Sequence, residues 1–565
     1  MRRLLALNAA LQLLGVGWDL PCSFEWENDG VAPRDFFAGI ALNLPPGPGH
    51  TYPLLHNLLI GLINLPTLLV SVLTAPSLTP DVVMRRVLDY PTMTAVHLTA
   101  KLLAVAMNTL ALAALARVTA RLFERRAALW ATAFALANLS VAYYGRTTNL
   151  DGPYLFWMAL AADRLLDAVE RGEPRDYRWF GLLVAASIAT KDQAYAAWVL
   201  PGAAFAIGLP LLRPAALAAG GMHRRRLVEA AVACLLGLAA LGGALWNPPG
   251  FLHRLRTLTG NASQDWRNYE ASLQGVGQNL GDIAASLQWE WWPRPVLALV
   301  VLGLFLTLRR GRLTRWLPAG LALSHLLFFT LVVARHGHRF VLPTGFWLAT
   351  YAGVAAAWLT ARWQRLTWAP LAAIWLFALA QTLTVQVAQW TDARRPLEAW
   401  LAALPADTTV VTAGPIVSQP RWGRDGLTHL RVTRLGPEAP TARNPLLTVA
   451  ERQGDLDGLA ATRPDVIVLP APLLSEYTEV APRPGDAEQR VVRARRASGG
   501  AAFFAEVAAN RVNGYTVRRV ANQWPRILES AHLLLPHVHS SVGEDMVVLV
   551  RDAANLPLPA HGEPL

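Results

Sequence analysis

The chain has 565 residues and a formal net charge of +12, with 53% hydrophobic and only 16% charged residues. Soluble proteins carry about 25% charged residues, so this composition argues against a string of soluble domains, and its hydrophobicity excludes intrinsic disorder. The mean hydropathy of +0.30 favours a membrane protein. Two cysteines, Cys22 and Cys234, exclude a disulfide scaffold and a cysteine-based zinc cluster, and we expect both thiols to be inert.

The basic residues are almost all arginines. Of the 51 lysine and arginine residues, only Lys101 and Lys191 are lysines. A chain rich in arginine and alanine is typical of a GC-rich genome, so we expect a bacterial protein in the inner membrane. A net charge of +12 can indicate a nucleic-acid partner. Because the arginines flank apolar runs, we predict a membrane protein with no nucleic-acid partner.

Apolar runs recur along the first 390 residues. A helix that crosses a bilayer needs about 20 apolar residues. The predicted spans, about eleven in all, are near 4–20, 95–117, 127–144, 153–170, 178–190, 194–213, 227–246, 294–311, 316–334, 340–360 and 367–388. The first run could instead be a signal peptide, but Trp18 and Asp19 follow it where a cleavage site would need small residues. We therefore interpret it as a span.

The arginine clusters set the predicted orientation, because cytoplasmic loops carry an excess of Lys and Arg. The run at about 53–74 is long enough to cross, but counting it would place every cluster after the first outside. We therefore predict that it dips into the membrane or lies at its interface. The N-terminus is then cytoplasmic, and the outer segments are 21–94, 145–152, 191–193, 247–293, 335–339 and the chain after about 389.

The composition changes near residue 391, where Arg, Asp, Glu and Pro become frequent. Short apolar stretches alternate with helical patterns, which predicts a soluble extracytoplasmic α/β domain over 391–565. The predicted strands are Thr408–Ala413, Asp465–Pro470, Tyr515–Val520 and Asp545–Val550. The predicted helices are Pro396–Leu404 and Leu456–Thr462. The predicted fold class is an α-helical multi-pass membrane protein over 1–390 with this C-terminal domain.

The first outer loop carries four carboxylates between Ser23 and Phe37, among them Glu27 and Asp29. A carboxylate can act as a general base on an acceptor hydroxyl or bind a metal ion. The alternative is an ordinary solvated acidic loop.

A second acid, Asp151, follows Asn149 in a short outer turn between two predicted spans. Charged groups at membrane depth are expensive and indicate function. Asp151 also precedes Gly-Pro, which suits a helix N-cap, and the two interpretations are compatible.

Four cations are predicted on the same outer side. Lys101 and Lys191 fall in or at the outer half of the membrane, and Arg335 and Arg339 lie in a short outer turn, against the usual bias. Ammonium and guanidinium groups suit an anionic lipid phosphate. The alternatives are lysines that extend to the interface and a positioned surface turn.

The segment HTYPLLHNLL contains His50, Tyr52 and His56. Two histidines near carboxylates can bind a metal, but their spacing matches no metal motif, so hydrogen bonding or packing is favoured. We take Tyr52 and His56, together with Asn149, as candidate substrate-binding residues.

The ordered motifs resemble those of a known group of enzymes. They are WENDGVAPRDFF, YPLLHNLL, ARLFERRAALWA, YYGRTTNLDGPYLFW, ASIATKDQAY, HRFVLP and RRPLEAWLAALP. Their order is similar to that of integral-membrane glycosyltransferases of the GT-C type, in the broad family 39 that includes protein mannosyltransferases and aminoarabinose transferases. The resemblance covers roughly 1–390.

The resemblance implies a GT-C fold and transfer of a sugar from a polyprenyl-phosphate donor to a lipid, glycan or protein acceptor outside the cytoplasm. The family's catalytic base falls on Asp29, with Glu27 as the alternative, and its second acid on Asp151. The donor phosphate would be bound by Lys101, Lys191 and Arg339, to which the charge pattern adds Arg335. Some members require a divalent metal and others do not, so no cofactor is assigned and a metal is left open.

Two other functions are weighed against the enzyme. A transporter or flippase for an anionic lipid-linked sugar would also need charges at membrane depth, but the sequence lacks the internal repeat of many transporters. A structural or sensor protein leaves the charged outer turns unexplained.

Overall fold

The computed structural model describes residues 1–22, 25–27, 29–47, 53–204, 220–259, 267, 269–309, 313–335, 337–423, 426–436, 449–454, 459, 462–478, 500–522 and 545–564. Most of the described chain is helical. Helices α1 to α9 are Arg2–Leu13, Arg34–Asn43, Leu55–Leu73, Pro80–Val87, Tyr90–Leu122, Arg125–Leu136, Leu139–Tyr144, Asp151–Arg171 and Pro174–Thr190. The α-helices that follow are Gly220–Leu241, Pro248–Thr259, Leu273–Glu290, Arg294–Leu308, Leu317–Leu327, Leu342–Arg362, Gln364–Trp390, Arg394–Ala402, Ala471–Thr478 and Ala501–Ala508.

Among the described residues, five helical segments are long and apolar enough to cross a membrane. They are Leu55–Leu73, Tyr90–Leu122, Leu313–Val333, Arg339–Arg362 and Leu366–Ala402. The chain is thus a multi-pass membrane protein. The count of about eleven spans stays a prediction, because other predicted runs form shorter helices, such as Arg2–Leu13. The run at 53–74 forms one long apolar helix, Leu55–Leu73, which by length and composition could cross a membrane. Its predicted placement at the interface, without crossing, also stays a prediction.

The predicted span 127–144 is not one helix. Helix α6 ends at Leu136, and α7 begins after Asn138. The side chain of Asn138 accepts a hydrogen bond of 3.0 Å from the backbone N–H of Val141, which caps the new helix. Asparagine competes with the backbone for such hydrogen bonds and therefore favours caps over helix interiors. This break leads the chain into the turn that carries Asp151.

The chain divides into two compact units. The first comprises Met1–Val16, Gly39–Ile63 and Ala100–Leu383, and the second comprises Gly17–Ala38, Asn64–Thr99 and Thr384–Leu565. The second unit therefore contains part of the first outer loop as well as the tail. The domain boundary at residue 390 stays a prediction.

Helices of the first unit pack closely through small residues. A side chain at Gly353 would lie 2.6 Å from the backbone nitrogen of Ala131, so only glycine allows this approach of Leu342–Arg362 to α6. A side chain at Gly237 would lie 2.8 Å from Cβ of Ala185, where Gly220–Leu241 meets α9. Contact through small residues is typical of membrane helices, where van der Waals packing replaces hydrophobic driving force.

The second unit contains a seven-stranded mixed sheet. Strands β1 to β7 are Thr409–Ala413, Arg431–Gly436, Ala450–Gln453, Val466–Pro470, Tyr515–Val520, Met546–Arg551 and Gly562–Glu563. Their spatial order is β3-β2-β1-β4-β6-β5-β7. Strands β3, β2, β1 and β4 are parallel, whereas β6 pairs antiparallel with both β4 and β5. Apolar side chains of β1, β4 and β6 alternate between two buried clusters, so both faces of the sheet are covered.

The α/β class of the tail is confirmed, and the four predicted strands match β1, β4, β5 and β6 within one residue. The predicted helix Pro396–Leu404 forms as Arg394–Ala402. Most of the predicted helix Leu456–Thr462 lies outside the described residues. The sequence did not predict β2 (RVTRLG) or β3 (AERQ), because their charged residues hide the pattern of a strand.

Candidate functional site

Helix α8 begins at Asp151, the second candidate acid, which is buried. Asn149 accepts a hydrogen bond of 3.0 Å from the backbone N–H of Asp151, so Asn149 satisfies a free donor at the helix start. Asp151 is itself the first helical residue and does not cap the helix. The N-cap interpretation of Asp151 is therefore wrong, and Asn149 has a structural role here. Gly152 is required because a side chain would lie 2.8 Å from the carbonyl oxygen of Tyr144.

Asp151 forms a buried ion pair with Lys191. The ammonium of Lys191 donates to both carboxylate oxygens at 2.7 Å. The side chains are 1% and 9% exposed. Lys191 follows the last residue of α9 and lies 5.8 Å from the ring centre of Tyr154. In α9, Ser187 donates to the carbonyl of Tyr154 at 3.1 Å, which fixes α9 against α8. One of the two lysines of the chain thus meets the acid of the TTNLDGPYLF motif.

A stack of aromatic rings carries the two arginines of the outer turn. The guanidinium groups of Arg335 and Arg339 lie 4.9 and 4.7 Å from the ring centre of Phe340. Phe340 stacks on Phe329 at 4.8 Å, and Phe329 stacks on the imidazole of His325 at 4.7 Å. Cation–π contacts hold the charged groups of both arginines over one ring.

His325, at the end of this stack, is within electrostatic range of Lys191, a member of the buried ion pair. His325 is fully buried, and neither ring nitrogen has a hydrogen-bond partner among the described residues. The same holds for the hydroxyl of Tyr154. Unpaired buried polar groups are costly, and proteins usually satisfy them with ordered water, an ion or a ligand. Neither His325 nor Tyr154 was predicted from the sequence, where the available signal was a histidine inside an apolar run.

Lys101 is buried in α5, with 2% of its surface exposed. Its ammonium donates to the backbone carbonyl of Val16 at 3.2 Å. The side chain of Lys101 is thus enclosed by protein, and its extension to the membrane interface stays a prediction. Binding of a donor phosphate by Lys101 stays a prediction.

Of the candidate substrate-binding residues His56 and Tyr52, the structure describes only His56. His56 lies near the start of α3, is 1% exposed, and has no hydrogen-bond partner for either ring nitrogen among the described residues. Tyr52 and His50 lie outside the described residues.

The acids of the first outer loop belong to the second unit. Glu27 is 5% exposed, and Asp29 is half-buried in a turn. The structure therefore does not show an ordinary solvated loop. Glu25, which was not predicted as a candidate, is the most buried of these three acids, with 1% exposed. Burial, followed by the negative charge of Asp35, raises the pKa of the Glu25 carboxyl well above its usual range. Its place between two aromatic residues in the sequence was the available signal.

The same loop is bound to the tail through Trp26, which is fully buried. The guanidinium groups of Arg394 and Arg421 lie 4.0 and 4.8 Å from its ring centre. Its indole N–H donates to the carbonyl of Gln419 at 3.0 Å, and its backbone N–H donates to Asp19 at 3.1 Å. Arg394, Arg421 and the carbonyl of Gln419 thus hold Trp26, which directly precedes Glu27 in the sequence.

Each of these arginines is neutralised by a buried acid of the tail. Arg394 donates to Asp392 at 2.9 and 2.7 Å, and Arg421 forms an ion pair with Glu398. Asp392 also accepts a hydrogen bond of 3.1 Å from the indole of Trp18. The structure thus groups Asp151, Lys191, Arg335 and Arg339 in the first unit, and Glu27 and Asp29 in the second.

Three comparisons with known proteins bear on this arrangement. No curated protein matches the chain. The crystal structure of ArnT from Cupriavidus metallidurans bound to undecaprenyl phosphate is 14% identical, with a TM-score of 0.48, over 86% of this chain and 96% of that one. The oligosaccharyltransferase of Archaeoglobus fulgidus, tethered with an acceptor peptide, is 10% identical, with a TM-score of 0.42, over 97% of this chain and 88% of that one.

Residues 93–241 match the family model described as dolichyl-phosphate-mannose-protein mannosyltransferase. The matched segment contains Lys101, Asp151 and Lys191, and therefore both members of the buried ion pair. This match confirms, for residues 93–241, that the chain resembles the membrane glycosyltransferases of the protein mannosyltransferase group.

Proposed function

We propose that this protein is a glycosyltransferase that moves a sugar from a polyprenyl-phosphate donor to an acceptor on the extracytoplasmic side of a bacterial inner membrane. The main support for this proposal is that both members of the buried ion pair, Asp151 and Lys191, lie in the segment that matches the mannosyltransferase family model. A desolvated ion pair is expensive to maintain, which supports a role in the reaction.

A carboxylate of the first outer loop is the base in this proposal, with Asp29 or Glu27 in that role. The base takes the proton of the acceptor hydroxyl, whose oxygen then attacks the anomeric carbon of the sugar. The half-burial of Asp29 supports its accessibility to an acceptor, and the burial of Glu27 supports a carboxylate that is shielded from bulk water.

The bond between the anomeric carbon and the lipid phosphate oxygen breaks in the same step, and the polyprenyl phosphate leaves with its negative charge. Cations near that charge stabilise the transition state. Arg335 and Arg339, stacked on Phe340, are the proposed phosphate ligands, and guanidinium groups bind phosphate through paired hydrogen bonds. In this proposal Lys191 positions Asp151 in the resting protein and adds positive charge at the donor, and Lys101 is a further candidate cation.

The experiment compares membrane lipids and glycans of a deletion strain with those of strains that express variants. Without the protein, mass spectrometry should show an accumulated polyprenyl-phosphate sugar and a glycan or lipid that lacks one sugar. The wild-type chain should restore the product, whereas Asp151→Asn should not. The matched control is Asp163→Asn on the same helix, since Asp163 also pairs with arginines, Arg117 and Arg121.

Two results would contradict the proposal. A deletion strain with an unchanged set of lipids and glycans would exclude sugar transfer. Failure of the purified wild-type protein in detergent to convert the accumulated donor would instead favour a transporter of the lipid-linked sugar.

The outer placement of the site has its own test. Alkaline phosphatase is active only when it is exported, so fusions after Leu150 and after Pro405 should both be active. Inactive fusions at both positions would place these segments in the cytoplasm.

A further inference from the structure

At the start of the first outer loop, three buried side chains of different chemistry converge. The imidazole Nε2 of His97 lies 3.1 Å from each carboxylate oxygen of Asp19. The thiol of Cys22 completes the group, and one ligand atom from each residue lies within 4.8 Å of the others. All three residues are 0% exposed. They belong to the second unit.

We infer that Asp19, Cys22 and His97 form a binding site for a transition-metal ion of the zinc type, in which Cys22 is a ligand and not the inert thiol expected from the sequence. Oxygen, sulfur and nitrogen donors together suit Zn²⁺, which binds them at about 2.0–2.3 Å. Tetrahedral angles at those distances place ligand atoms about 3–4 Å apart, so the observed spacing needs only small adjustments. Mg²⁺ and Ca²⁺ prefer oxygen ligands throughout, which argues against them here.

The ligands are held by a second set of contacts on one face of α5. Thr94 and His97 are three residues apart and therefore lie on the same side of the helix. The hydroxyl of Thr94 accepts from the backbone N–H of Cys22 at 3.0 Å and donates to its carbonyl at 3.2 Å. The carboxylate of Asp19 accepts from the backbone of Trp26 at 3.1 Å. Metal ligands are typically oriented by such neighbours.

The backbone conformation of Asp19 also indicates that this ligand is held in place by its surroundings. Its φ of +59° lies in the left-handed region, which costs free energy for a residue other than glycine and persists where the surroundings fix it. Arg395 and Arg421 both lie within electrostatic range of Asp19.

Charge balance is compatible with a buried metal. A divalent ion bound by one carboxylate, one thiolate and one neutral imidazole gives a neutral group, which low-polarity surroundings tolerate. Binding releases the thiol proton of Cys22. The site would fix the loop that begins at Asp19 and continues to Glu27 and Asp29, and it leaves a fourth position for water.

The test uses the full-length protein in detergent, produced with Co²⁺ in the medium in place of Zn²⁺. One cobalt ion per chain should copurify, with the absorption band of thiolate-to-cobalt charge transfer. Cys22→Ser should abolish the band, and His97→Ala should lower the metal affinity about tenfold or more, since even second-shell changes cost that much. The matched control is Cys234→Ser, which removes the other thiol and should leave the band and the metal content unchanged.

The absence of bound cobalt, or a band that survives in Cys22→Ser, would overturn the inference. If Cys22→Ser fails to fold, X-ray absorption on the Cys234→Ser protein decides the question. A sulfur atom at about 2.3 Å from the metal would support the site, and a shell of only nitrogen and oxygen would refute it. Neither measurement requires a sugar substrate, so this inference and the proposed function can fail separately.

Discussion

The two units both bury ion pairs, but they build them differently. In the first unit, Lys191 meets Asp151 as a single pair, beside a histidine and a tyrosine hydroxyl that have no hydrogen-bond partner among the described residues. In the second unit, Arg394 and Arg421 each bond to an acid and a backbone carbonyl and also stack on an indole ring.

The difference follows from the two cations. Guanidinium is planar with five donors, so it can saturate several partners at once, whereas ammonium is a compact charge on a flexible stem that can change partner. We therefore interpret the arginine network as a fixed structural connection, whereas the Lys191 pair can rearrange, as its role in the proposed reaction requires.

The largest effect is expected for Lys191→Met. Removing one member of a buried pair leaves an uncompensated charge and costs about 3–5 kcal/mol of stability. Sugar transfer should fall by about 100-fold or more, the range found when a group that stabilises transition-state charge is removed. The double variant Asp151→Asn with Lys191→Met should recover most of the stability but none of the activity, as measured by thermal unfolding and donor turnover. An active double variant would show that the pair is merely structural.

Arg394→Met should lower the free energy of unfolding by a similar amount, about 3–5 kcal/mol, because Asp392 is left buried and unpaired. The control is Arg431→Met, whose partner Asp407 is 70% exposed, so that loss should stay below about 1 kcal/mol. Denaturation of the two variants in parallel measures the contrast. Equal losses would remove the distinction between the buried network and surface pairs.

Trp26→Phe should have a smaller effect. Phenylalanine keeps a ring between Arg394 and Arg421 but loses the hydrogen bond to Gln419, which costs about 1 kcal/mol. Trp26→Ala should cost more, since it also removes both cation–π contacts, each worth about 0.5–2 kcal/mol. If both variants unfold at the same temperature, the stacking does not stabilise the loop.

The smallest effect concerns pH. The pKa of Glu25 is raised by burial and by Asp35, so between the ordinary value near 4.3 and the raised value the folded state binds more protons than the unfolded state. The free energy of unfolding of the wild type should therefore fall as pH rises through this window. Glu25→Gln should remove that fall, giving a variant that matches the wild type near pH 4 and exceeds it at about pH 7. A wild-type curve parallel to that of the variant would contradict the raised pKa.

The sequence predicted what depends on local pattern. The strands β4 and β6 are short uninterrupted apolar runs, and Asp151 and Lys191 stood out as charges at membrane depth. Their pairing was not predicted, because no periodicity links residues 40 positions apart. The contact between Trp26 and Arg394 was not predicted either. No local pattern marks either residue, and only the fold brings the two together. The burial of Arg394 and Arg421 was not predicted either, because nothing in the sequence around them distinguishes them from the other arginines of the tail.

The contact between Trp26 and Gln419 has a consequence for the order of assembly. The two residues are 393 positions apart. Chains grow at about 5–20 residues per second, so some 20–80 s pass between their synthesis. Throughout that interval the acidic loop already exists while the part of the tail that surrounds Trp26 has not yet been made. The loop therefore reaches its final conformation only in the finished chain, and a nascent or truncated polypeptide would carry its carboxylates without the support that holds them in place.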